Sequence, residues 1–84
     1  MQGLEQAFAV LATQIRAARR AKGLRQEEVA RTAGLGTSTV RMIERGTHHG
    51  TGLVGMLAVL RAVGLPLNTL DPLMEQIQYN SPSS

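Results

Sequence analysis

The sequence of 84 residues contains no cysteine, no tryptophan, one phenylalanine and one tyrosine. Without thiols it forms no disulfide and no thiolate metal site, a composition compatible with a reducing cytosol. With Phe8 and Tyr79 as its only aromatics, it lacks the stacking platforms on which readers of single-stranded nucleic acid hold bases. No apolar run approaches the roughly 20 residues of a membrane span. Residues 1–8 show no basic segment followed by an apolar one, so no signal peptide is expected. There is also no glycine-rich phosphate loop, no nucleophile motif and no metal signature. These absences predict a cytoplasmic protein that is not an enzyme and carries no cofactor.

What is present is arginine. Eight of the nine basic residues are arginines, and the net charge is +3. Arg16, Arg19, Arg20, Lys22, Arg25, Arg31, Arg41 and Arg45 crowd into residues 16–45 against Glu27, Glu28 and Glu44, a local net of +5. The rest of the chain holds Arg61 against Glu5, Asp71 and Glu75, a net of −2. Such a segregated basic stretch is what a phosphate-binding surface requires, although a solvated basic face would give the same count. The preference for arginine over lysine favours bidentate contacts with phosphate or guanine.

Apolar periodicity predicts five helices and no strand, an all-α fold in one small domain. The first helix is expected over residues 4–22, after a frayed start at 1–3, with Leu4, Phe8, Leu11, Ile15 and Ala18 recurring at steps of four and three. Gly23 ends it and Leu24 folds back. A second helix spans 26–33, and a third starts at Gly36 or Thr37 and runs to Arg45, where Gly46 stops it. The loop THHGTG follows. A fourth helix begins at Thr51 or Gly52 and ends at Val63, with Leu53, Met56, Leu57, Leu60 and Val63 facing inward. Leu65, Pro66 and Leu67 make an extended break. A fifth helix begins at Thr69 or Leu70 and ends at Gln78, with proline tolerated at position 72 in its first turn. Residues 79–84, YNSPSS, read as a disordered tail. The expected organisation is therefore a binding domain over residues 1–78 and a tail over 79–84.

The chain is organised around QEEVARTAGLGTSTVRMIER, residues 26–45. Val29, Ala30 and Ala33 give the first of its two short helices an apolar face, and Val40 and Ile43 do the same for the second. Gly34 supplies the left-handed turn between them, and Leu35 is an apolar plug. A small residue, Ala30, lets the helices cross closely. This is a helix-turn-helix, whose second helix is able to enter a DNA major groove.

The text IRAARRAKGLRQEEVARTAGLGTSTVRMIERG, followed by LVGMLAVLRAVGLPL, resembles the lambda-repressor/Cro-like (XRE) helix-turn-helix family over residues 11–67. The ending LRAVGLPLNTLDPL is similar to the HipB-like antitoxin branch. The resemblance implies a compact lambda-repressor-like five-helix bundle whose third helix reads duplex DNA. It places Gln26 against a backbone phosphate. Thr37, Ser38, Arg41 and Met42 fall where the recognition helix faces DNA: Arg41 to guanine or phosphate, Met42 to a thymine methyl. Met42 reads equally well as an ordinary exposed or dimer-buried methionine. Thr39 is a further phosphate contact, and Arg45 touches the backbone after the helix. Arg19 and Glu44 match a buried ion pair between the first and third helices. Two positions depart from the family: Arg25 stands where threonine or serine caps the second helix, adding a phosphate contact instead, and His48-His49-Gly50-Thr51-Gly52 replaces a loop of proline and polar residues.

Adjacent histidines on a loop make no metal site without further ligands. Glu27 and Glu28, consecutive on a helix, point about 100° apart. They complement the positive end of the helix dipole rather than form an acid–base pair. Leu67, Leu70, Leu73, Met74 and Ile77 exceed what so small a core needs, and they are expected to form a homodimer interface or else to close the monomer core. The expected function is a homodimeric repressor of transcription reading a palindrome in double-stranded DNA, associated with the nucleoid when bound. The alternative is an antitoxin that binds a toxin protein, a HipA-like kinase, and represses its own operon.

Overall fold

The computed structural model describes residues 2–47 and 52–79. They form α1 (Gln2–Ala21), α2 (Gln26–Ala33), α3 (Thr37–Arg45), α4 (Leu53–Val63), a 3-10 turn (Leu67–Leu70) and α5 (Asp71–Tyr79), with no strand among them. Among the described residues no helix is long and apolar enough to cross a membrane.

The longest helix, α1, packs against α3, α4 and α5, while α2 lies against α3 and α4. Leu11 and Ile15 of the expected stripe are buried, with Leu4, Phe8 and Ala18 packed at its margin. The shared core adds Val29 and Ala30 from α2, Val40 and Ile43 from α3, and Met56, Val59, Leu60 and Val63 from α4. Fully buried side chains such as Ile15 and Leu60 each contribute about 1.5–3 kcal/mol.

Three helix ends share one device. Leu24, Leu35 and Leu65 each follow a helix-ending glycine and donate their N–H to the carbonyl five residues back, Arg19, Ala30 and Leu60, at 3.1, 2.9 and 2.9 Å. All three side chains then pack on the core. This closure satisfies carbonyls left over by the helix and turns the chain back with an apolar contact. It sets the tight α2–α3 turn, where Gly34 has φ 72°.

Several expectations are corrected. Gln2 and Gly3 are helical rather than frayed, because the start of α1 is covered by α5: a β-carbon on Gly3 would collide with Gln76. Leu53 is exposed, since it opens α4 a full turn before its first core residue, Met56, and Val59 takes the inward place instead. Leu67 begins a 3-10 turn rather than extending a break, because the Pro66 carbonyl accepts the Thr69 N–H at 3.1 Å. Tyr79 closes α5. The remainder of the expected tail, 80–84, and the histidine pair at 48 and 49 lie outside the described residues.

The apolar surplus near the C-terminus divides in two. Leu70 and Leu73 are buried within the chain itself, as part of the shared core, which is the expected alternative of closing the monomer. Leu67, Met74 and Ile77 remain exposed.

Candidate nucleic-acid interface

α3 buries Val40, Ile43 and Glu44. At about 100° per residue, the opposite side presents Ser38, Arg41, Met42 and Arg45, all exposed, with Met42 keeping 36% of its surface open. Thr37 and Thr39, both half-buried, flank this face on opposite sides.

Glu44, 2% exposed, is the junction of the site. Arg19 Nε donates to its Oε2 at 2.6 Å and Arg19 Nη2 to its Oε1 at 3.1 Å. The same guanidinium donates to the Leu24 carbonyl at 2.8 Å. Gln26 Nε2 donates to Glu44 Oε1 at 3.2 Å. One carboxylate thus ties the end of α1, the start of α2 and α3 together. The side-chain amide of Gln26 is in this way engaged within the fold at the start of α2.

Arg25 precedes α2 in an extended conformation. A guanidinium has donors only and cannot cap the N–H groups of a helix N-terminus, but Glu28 Oε1 accepts the Arg25 backbone N–H at 2.7 Å, which supplies half of a capping box. The first residues of α2, Gln26 and Glu27, precede the first N–H that bonds back to the Arg25 carbonyl, that of Glu28. Both line a cleft with Arg19, Arg20, Leu24, Arg25, Thr37 and Arg41. A second cleft shares Arg19, Arg20, Gln26 and Arg41 with it and adds Arg16, Glu44 and Arg45. The arrangement places Arg16, Arg20 and Arg25 along the Thr37 side of α3, beside Arg41, Arg45 and the N-terminus of α2, which suits a chain of phosphates.

Two of these cations, Arg16 and Arg20, are absent from the binding residues that the sequence singles out. Their signal was the spacing: four apart, they share a side of α1. Thr39 does not line either cleft and stands on the far flank of α3.

Residues 15–53 match the family model described as Helix-turn-helix. No curated protein and no solved structure matches the chain.

Proposed function

We propose that the chain is a DNA-binding regulator of transcription, as the helix-turn-helix match over residues 15–53 supports, and that it acts as a homodimeric repressor with α3 in the major groove of a palindromic operator. The observation that carries this reading is the outward face of α3: it is clear of the fold and bordered by arginines from α1 and by Arg25, just before α2.

In this reading Ser38, Arg41 and Met42 meet base edges. Arg41 is able to bridge guanine O6 and N7, a pairing worth about 1–3 kcal/mol of discrimination. Met42 offers an apolar surface to a thymine methyl. Arg20, Arg25 and Arg45 hold phosphates, with Thr37 and Thr39 at the margins and Gln26 presenting the start of α2. The backbone contacts fix register, and the base contacts select sequence.

A single short helix reads few base pairs, so two copies related by a dyad would address half-sites about one helical turn apart. The exposed apolar residues that support self-association are Leu53, Val54, Leu67, Met74 and Ile77. Leu67 shares an apolar concavity with Leu57, Leu65 and Pro66. A second reading, supported by the likeness of the ending LRAVGLPLNTLDPL to HipB-like antitoxins, gives this apolar side to a toxin protein and keeps the same DNA face.

The test is a titration of the purified protein with duplex from upstream of its own gene, at several salt concentrations, against scrambled duplex. Selective binding with two protomers per site is expected. Equal affinity for both duplexes at every salt concentration would reject a sequence-reading function.

A further inference from the structure

α3 is only nine residues long, and its C-terminal carbonyls need partners from outside the helix. Two of them are met locally: Gly46 N–H donates to the Ile43 carbonyl at 3.0 Å, and Thr47 N–H to the Met42 carbonyl at 3.2 Å. The Glu44 carbonyl is met from α1, where Arg16 Nη1 donates to it at 2.5 Å across 28 residues of sequence.

We infer that Arg16 is a positioning residue for the recognition helix, capping the Glu44 carbonyl and so fixing the angle at which Ser38, Arg41 and Met42 are presented. The cap is a feature of the fold; its consequence for sequence discrimination rests on the DNA-binding reading above. A cation at this end of α3 also lies at the negative pole of the helix dipole. The geometry makes the cap directional. Arg19, one turn along α1, grips the Glu44 carboxylate, while Arg16 grips the backbone of the same residue. Arg19 and Gln26 hold the side chain of Glu44, whereas Arg16 holds the backbone itself at the C-terminal end of α3. Arg16 also lines the basic cleft with Arg41 and Arg45, so a plain phosphate contact is the rival role.

The experiment compares wild type with Arg16→Met and Arg16→Lys. Amide hydrogen exchange at Gly46 and Thr47 and the carbonyl carbon shift of Glu44 are read without DNA. Affinities are then measured for a selected duplex and for a scrambled one across a salt series. The cap predicts exchange several-fold faster and a moved Glu44 carbonyl resonance in Arg16→Met, with most of both restored in Arg16→Lys, which keeps a cationic donor. Positioning predicts that Arg16→Met loses about tenfold in affinity for the selected duplex, roughly 1.4 kcal/mol. Affinity for scrambled duplex should fall less than this, so that the ratio of the two affinities drops.

Unchanged exchange and an unmoved Glu44 resonance in Arg16→Met would overturn the cap, whatever the DNA result. Equal losses on both duplexes, with a salt slope lower by about 1, would overturn positioning in favour of a phosphate contact. If wild type itself shows no selectivity, the proposed function fails and the positioning role fails with it, while the exchange data still decide the cap.

Discussion

Arg19 and Glu44 meet twice, through Nε to Oε2 and Nη2 to Oε1, across 25 residues of sequence, with side chains 12% and 3% exposed. The carboxylate also holds Gln26, and the guanidinium also holds the Leu24 carbonyl. Removing the cation leaves a buried carboxylate with one neutral amide donor. Arg19→Met is therefore expected to cost about 3–5 kcal/mol. The double variant Arg19→Met with Glu44→Leu should recover much of that loss, because no charge is then left buried. Urea unfolding of the three chains checks this, and a single variant within 1 kcal/mol (about one hydrogen bond's worth) of wild type would contradict it.

Gly46 and Gly34 have nearly the same backbone, φ 73° and 72°, but different neighbours. A β-carbon at Gly46 would stand 3.3 Å from Ala9 Cα and 3.4 Å from the Phe8 carbonyl oxygen, whereas at Gly34 it would meet nothing within 4 Å. Both alanine variants carry a left-handed backbone cost of about 1–2 kcal/mol. Gly46→Ala should lose more, because α1 and α3 must also move apart. Thermal midpoints in the order wild type, Gly34→Ala, Gly46→Ala are expected; the reverse order of the two variants would contradict the close approach.

Leu67→Glu combined with Ile77→Glu places charge on exposed apolar positions and should leave helix content intact while converting dimers to monomers. Light scattering of the folded variant checks this, and an unchanged dimer mass would move the interface elsewhere. Leu73→Ala is the contrasting case. Leu73 is part of the core, so its truncation is expected to cost about 2–5 kcal/mol of stability.

Arg20→Ala is expected to weaken binding to every duplex alike and to lower the salt slope by about 1, as loss of one phosphate contact does. A salt series with selected and scrambled duplex measures both. Selective loss on one duplex would instead give Arg20 a part in reading sequence.

Local signals in the sequence carried the element boundaries furthest. Residues 26–33 and the helix ends at Arg45 and Val63 follow from glycine punctuation and apolar spacing, and the structure places α2, α3 and α4 on those limits. Pro66 constrains its own φ and its predecessor, which is too little to tell an extended break from the 3-10 turn that follows. The fates of Leu53, Leu70 and Leu73 depend on which helix covers them, and periodicity identifies a face without identifying its partner. The same distinction governs the site. The outward residues of α3 could be read from the spacing of Val40 and Ile43. The Gln26 amide and the Arg16 guanidinium find Glu44 across 18 and 28 residues, and no local pattern encodes those encounters.

The central claim is that the exposed face of α3 reads base edges. Selection of bound duplexes from a random pool, with wild type and Arg41→Ala in parallel, tests it most directly. Wild type should enrich an inverted repeat with half-sites about one helical turn apart, and Arg41→Ala should still bind DNA but lose preference at one base pair of each half-site. Enrichment of no sequence by wild type, or the same enriched sequence from both proteins, would contradict the claim.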